Sequence, residues 1–371
     1  MMRIYLRLKR STGSRERSPS SIDRSQRIIP GKSIGRLIPR KGNYMKLTND
    51  ELKEIYFGAL FFEETKEGYL QAFQYSRAQM DYFEKVSDFW FERCSASTAK
   101  TLEFKTDATK VSFDYEIIWE GSQDSFELAV DGLITDIKYV KDIKKKGRLE
   151  FGFVREGEES SDSNGSRKKD IIIYLPADAT VIIKDFEIDG TYERAKKNEK
   201  VLWLGDSITQ GFGPLRSGQT YVSVANRILN YDILNQGIGG YVYDKFSLMK
   251  MEGYEPDKII VALGTNQYGD KHFKVIEDYY DTLISIYGDK IPILCILPLW
   301  RGDNPEGIPT LIEFCKKVKE IAERYENIKT VDGFKLVPHL PEYYLDDLHP
   351  NCLGAEIYGR NLVEAIRMLD F

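Results

Sequence analysis

Near Lys196 the apolar pattern of the chain changes period, and this change constrains the fold more than any other feature. Beyond it, continuous apolar runs at Val201–Leu204, Ile233–Leu234, Ile259–Leu263, Ile291–Leu297 and Ile328–Val331 alternate with segments of helical spacing, such as Tyr221/Val224/Ile228 and Ala355/Tyr358/Leu362/Ala365. Strands that are apolar throughout are buried on both faces, and helices between them supply the crossovers. The pattern therefore predicts an α/β arrangement with a parallel sheet between helical layers. Ligands of such sheets bind beyond the carboxyl ends of the strands, so the residues after each strand are the ones to read for function.

Before Lys196 the runs are short, rich in β-branched and aromatic residues, and separated by turn signals. Strands are predicted at Thr101–Thr106, Lys110–Trp119, Ser125–Val130, Arg148–Val154, Asp170–Leu175 and Thr180–Ile188. Turns fall at Glu120-Gly121-Ser122, Asp131-Gly132, Lys146-Gly147 and Asp189-Gly190. From Leu47 to about Ala195 this reads as an all-β sandwich or jelly roll, with little helical period after about residue 90. The polar run Glu156–Lys169 reads as an exposed hairpin loop. Residues 1–44 hold 12 Lys and Arg against 2 Asp and Glu with no sustained apolar period, which predicts a disordered basic tail; Met45 offers an alternative natural start. The expected organisation is a tail at 1–44, a β domain at 45–195 and an α/β domain at 196–371.

The 371 residues carry a net charge of -5, and without the tail the remainder is more acidic still, so no nucleic-acid partner is expected. The four cysteines, Cys94, Cys295, Cys315 and Cys352, show no C-x-x-C spacing, and the three histidines are scattered. No metal and no cofactor are expected. No apolar run approaches the ~18–20 residues of a membrane span, and the first 30 residues lack the apolar core of a secretory signal. The expectation is a cytoplasmic protein without a membrane partner, its oligomeric state open.

Four blocks follow the strands of the second half. Gly205-Asp206-Ser207 sets a hydroxyl at the opening of a helix, where backbone N–H groups favour negative charge. Its spacing matches neither G-x-S-x-G nor a phosphate loop, and a capping serine is the plainer reading of that block alone. Asn235-Gln236-Gly237-Ile238-Gly239-Gly240 is a glycine-rich turn that a ligand can approach, or simply a tight connection. Gly264-Thr265-Asn266 offers an amide donor. Asp346-Asp347-Leu348-His349 puts a carboxylate three residues before an imidazole, so that one loop holds both.

In this order the four blocks resemble those of the SGNH (GDSL) hydrolases. The resemblance covers about residues 196–371 and implies a flavodoxin-like three-layer fold. It implies Ser207 as nucleophile, His349 as base and Asp346 as its orienting carboxylate, with the oxyanion bound by the Ser207 and Gly240 N–H groups and the Asn266 side chain. The chain departs from the family pattern at Gln267, where an aspartate is frequent, and at Tyr241, where a small or acidic residue is frequent; both bear on the pocket rim. A β-rich domain directly ahead of such a domain is similar to carbohydrate esterase family two, which implies a short-chain, acetyl-type ester of a saccharide as substrate. Within the same chemistry a lysophospholipase or thioesterase is the alternative; outside it, a saccharide-binding protein on a non-catalytic scaffold. Tyr241, Tyr268 and Trp300 follow strand ends and are candidate substrate contacts, with core packing as the competing reading. Base catalysis by a histidine implies activity rising through about pH 6–7.

Overall fold

Successive side chains of a strand point to opposite faces, and that alternation sorts the apolar residues of this chain into three cores. The computed structural model describes residues 44–122, 124–153 and 168–371, with Gly42–Phe371 forming one compact unit. The tail expected at 1–44 lies outside the described residues, Tyr44 excepted.

The N-terminal region holds strands β1 (Met45–Lys46), β2 (Tyr56–Phe57), β3 (Phe61–Glu64), β4 (Leu70–Phe73), β5 (Thr101–Thr106) and β6 (Lys110–Trp119). It continues with β7 (Ser125–Val130), β8 (Leu133–Tyr139), β9 (Lys146–Gly152), β10 (Lys169–Tyr174), β11 (Thr180–Ile188) and β12 (Tyr192–Arg194). One antiparallel sheet runs β3-β4-β11-β6-β9 with β1 beside β11, and the other runs β12-β5-β10-β7-β8 with β2 beside β5. Their inward residues, among them Phe113, Phe151 and Ile183 of the first and Phe104, Phe126 and Ile173 of the second, share one core, which makes the pair a sandwich.

Three helices interrupt what the sequence reads as strand: α1 (Asn49–Ile55), α2 (Arg77–Val86) and α3 (Asp88–Cys94). Each of the first two opens with a capping box, Thr48 with Glu51 and Ser76 with Gln79, a local helix-start signal within a stretch of β-rich composition. The hairpin expected over Glu156–Lys169 is not formed by its flanking strands. β9 pairs with β6, whereas β10 pairs with β5 and β7, so the connection passes from one sheet to the other. Residues 154–167 themselves lie outside the described residues.

After Lys196, strands β13 (Lys200–Gly205), β14 (Asp232–Gly237), β15 (Lys258–Ala262), β16 (Ile293–Ile296) and β17 (Ile328–Val331) form a parallel sheet in the order β14-β13-β15-β16-β17. Helices α4 (Ser207–Gln210), α5 (Tyr221–Leu229), α6 (Lys274–Tyr287) and α7 (Ile308–Ala322) lie in the connections between these strands, and α8 (Cys352–Met368) follows the last of them. This is the expected flavodoxin-like order, with the first strand between the second and the third. Leu202, Leu204, Ile259 and Val261 point to the face covered by α6 and α7; Val201, Trp203 and Ile260 point to the face covered by α5 and α8. Ile228, assigned by spacing to the buried stripe of α5, is instead exposed, and Val222 and Ala225 take its place. Tyr75, Phe83 and Cys94 of the N-terminal region join the core under α6 and α7, so the sandwich and the parallel sheet share buried contacts.

Candidate active site

β13 ends at Gly205, and Asp206 caps the short α4, its Oδ1 accepting the Ile208 N–H at 3.0 Å. Burial pushes the Asp206 carboxyl up to about 7, against the pull of the Ile208 amide and the Arg301 guanidinium. The cap leaves Ser207 at the carboxyl edge of the sheet, half-buried.

Ser207 Oγ lies 2.8 Å from His349 Nε2. On the other side of the ring, Nδ1 lies 2.9 Å from Asp346 Oδ2 and 3.1 Å from Oδ1. A carboxylate only accepts, so Nδ1 carries the proton and Nε2 is left free to accept from the serine hydroxyl. Asp346 Oδ1 also accepts the N–H groups of His349 at 2.8 Å and Leu348 at 3.2 Å. Burial raises the Asp346 carboxyl, but hydrogen bonds from the His349 amide and ring and the Leu348 amide outweigh it and hold it below the usual carboxylate range. The three-residue spacing read in the sequence thus folds the carboxylate back onto its own loop.

That loop is fixed against the turn after α4. The Phe212 ring meets the His349 ring edge-on at 4.7 Å between centroids. Gly213, at φ +124, passes so close that a Cβ there would stand 2.3 Å from the Pro350 carbonyl. Only glycine fits both the backbone angle and the approach.

Of the expected oxyanion donors, the Ser207 and Gly240 N–H groups have no hydrogen-bond partner among the described residues, and Gly240 is exposed at φ +71. The Asn266 amide donates to the Tyr241 carbonyl at 2.9 Å, which anchors the side chain and leaves its second N–H uncommitted. Gln267, the departure in the third block, accepts the Tyr243 N–H at 2.6 Å and so ties the second block to the third.

The three aromatic candidates separate. Tyr241 is a correction: it is buried, its ring edge-on to Phe83 and Trp90 and its hydroxyl on Asp244 at 3.1 Å, so its body belongs to the core and only its carbonyl serves the site. Tyr268 is half-buried, its hydroxyl accepting from Asn304 at 2.6 Å and its ring 5.1 Å from the Arg301 guanidinium. Trp300 stacks on His339 at 5.4 Å, and Gly302, two residues on, donates to the Asp347 carbonyl at 2.6 Å, which brings this segment against the histidine loop. His272 stays apart, exposed on Asp270.

Other residues at the site carried no sequence signal. Arg301 donates to the Thr265 carbonyl at 2.9 Å and pairs with Asp303 at 2.6 Å. From α3, Phe89 is 50% exposed and its ring edge stands 3.6 Å from where a Gly240 Cβ would be, while the Arg93 guanidinium covers the Phe89 face at 3.5 Å. Their separation of more than a hundred residues from Ser207 hides them from any local motif. Among the described residues no cluster of three or more His, Cys, Asp or Glu could hold a metal ion, and no helix is long and apolar enough to cross a membrane.

Residues 203–357 match the GDSL-like Lipase/Acylhydrolase family. Among solved structures, a salicylyl-acyltransferase from a tetracycline biosynthetic pathway superposes with a TM-score of 0.67 at 16% identity, over 85% of this chain and 94% of that one. A family two carbohydrate esterase from Cellvibrio japonicus gives a TM-score of 0.56 at 14% identity, over 89% and 98%. An acetyl xylan esterase from Butyrivibrio proteoclasticus gives 0.56 at 14%, over 88% and 98%. These likenesses show the fold, a parallel sheet with antiparallel sheets ahead of it. No curated protein matches the sequence.

Proposed function

We propose that this carboxylic ester hydrolase cleaves short-chain acyl esters of a carbohydrate, acetyl esters foremost, through an acyl-Ser207 intermediate. Residues 196–371 carry the chemistry in this reading, and residues 45–195 form a second domain against them. Ser207 Oγ attacks the ester carbonyl as His349 Nε2 accepts its proton, and the imidazolium, held by Asp346, returns the proton to the leaving alkoxide. The negative charge on the former carbonyl oxygen is met by the Ser207 and Gly240 N–H groups and the Asn266 amide. Water then repeats the cycle on the acyl-enzyme with His349 as base.

The observation that carries this reading is the continuous relay of 2.8 Å from Ser207 to His349 and 2.9 Å from His349 to Asp346. A scaffold that only binds saccharide has no need of it. The carbohydrate part is supported by the carbohydrate esterases among the structural neighbours. Ser207→Ala is expected to bring p-nitrophenyl acetate hydrolysis to background while circular dichroism keeps its native form; undiminished turnover would refute the assignment. A series of acyl lengths, followed by acetylated xylose against long-chain esters, separates the acetylesterase from a lysophospholipase or thioesterase.

A further inference from the structure

A buried side chain links the oxyanion loop to the sandwich. Gln210, the last residue of α4, accepts the Gly239 N–H on its Oε1 at 2.6 Å. Its Nε2 donates to Asp178 Oδ1, in the connection between β10 and β11. Asp178 Oδ2 in turn accepts the Ser122 N–H at 3.1 Å. Gln210 and Asp178 are both buried, at 2% and 6% exposure. An amide that faces a carboxylate on one side and an N–H on the other has one allowed orientation, because the flipped form sets donor against donor and acceptor against acceptor. Arg93 closes on the same loop, its Nε 3.1 Å and Cδ 3.2 Å from where a Gly239 Cβ would stand, beside the Gln210 Oε1 at 3.4 Å. Gly239 is thus held by residues of both regions, and the next residue is Gly240.

The geometry points to Gln210 and Asp178 as positioning residues: the N-terminal sandwich sets the direction of the Gly240 N–H through the bridge Asp178–Gln210–Gly239. This rests on the esterase reading for its catalytic consequence and on the hydrogen bonds alone for its structural one. Donors preorganised toward developing charge lose their effect when the loop that carries them relaxes. The bridge therefore acts on kcat more than on substrate binding.

The bridge admits a swap of chemistry that a merely space-filling contact would not reward. Gln210→Glu sets two carboxylates together, and at a pH where both are ionised their repulsion breaks the bridge. Asp178→Asn combined with Gln210→Glu restores it with the roles exchanged. The introduced asparagine donates through its amide nitrogen to the introduced glutamate and accepts from the Ser122 N–H on its amide oxygen, while the glutamate still accepts from the Gly239 N–H. With p-nitrophenyl acetate, Gln210→Glu is expected to lower kcat by about 10-fold or more while KM changes by less than about 3-fold, and the double variant is expected to recover most of the loss. Amide hydrogen exchange at Gly239 should accelerate in the single variant and slow again in the double. Unchanged exchange at Gly239 in Gln210→Glu overturns the bridge, whether or not the chain hydrolyses esters. Unchanged kcat with altered exchange, in a wild type that turns over, overturns its catalytic role. Absence of turnover in the wild type, with exchange responding as expected, counts against the esterase reading and leaves the bridge supported.

Discussion

Two carboxylates of this chain, one at the catalytic loop and one at the junction with the sandwich, live in opposite surroundings. Asp346 sits on the histidine loop, its side chain 46% exposed, and hydrogen bonds from its own loop hold it below the usual range. Asp124, in the junction where the sandwich meets the segment after α4, is fully covered, and burial pushes it up to about 7 despite the Ser125 N–H at 2.7 Å and the Ala177 N–H at 2.9 Å. Its neighbours Glu127, Arg216, Ser125 and Ser217 complete a closed polar cluster. Solvent access on one side leaves Asp346 ionised and free to answer a change of charge on His349. Enclosure makes the junction a fastening. Residue type does not distinguish these roles; the supply of donors against the loss of water does.

The sharpest way to break this comparison is at Asp346. Asp346→Asn should lower kcat for p-nitrophenyl acetate by about 10²–10⁴-fold, because an amide no longer holds the ring tautomer that leaves Nε2 an acceptor. Retained activity would mean that backbone groups alone orient the ring. Next in size is Asn266→Ala, expected to reduce kcat by about 10²–10³-fold as one oxyanion donor is lost, read from kcat at saturating ester.

The pH dependence of stability sharpens the contrast. Asp346 binds protons less readily folded than unfolded, so its contribution is present above its unfolded pKa and fades as pH falls through its folded value, below the ordinary carboxylate range. Asp124 and Asp206 bind them more readily folded, so stability drains away as pH rises from about 4 to 7. Lys100, buried and lowered to about 7, works the other way above that point, because the unfolded chain holds its proton up to its normal range. Urea midpoints at constant ionic strength should therefore peak in the weakly acidic range and decline toward neutrality; a steady rise from pH 5 to 7 would contradict the reading of the buried pair. The smallest effect is expected at Tyr241→Phe, which removes a hydrogen bond to Asp244 worth about 0.5–1.5 kcal/mol in urea titration and leaves KM unchanged. A raised KM there would return Tyr241 to the substrate wall.

What the sequence disclosed was local. Thr101–Thr106, Lys110–Trp119, Ser125–Val130, Thr180–Ile188 and Ile328–Val331 coincide with strands because alternation and continuous apolar runs are properties of neighbouring residues. The Asp346–His349 pairing was legible for the same reason, since one loop makes it. Tyr241 stayed open between substrate contact and core packing because a residue after a strand end can turn either way, and Phe83 and Trp90, which claim it, arrive from distant helices. Gln210 stood within the nucleophile block yet gave no sign of its bridge, because its partners Asp178 and Gly239 meet it only in the folded chain. Phe89 and Arg93 reach the site on a helix hidden in a stretch whose composition favours strands.

Arg216 grips Glu127 with two nitrogens, at 3.1 and 2.8 Å, across the seam between the sandwich and the sheet, and the Glu127 side chain is wholly covered. A chimera that set a foreign front half before residue 196 without supplying that carboxylate would strand a cation in the joint, at a cost of about 3–5 kcal/mol. A working exchange of front halves therefore has to bring a carboxylate to that position or remove the arginine with it.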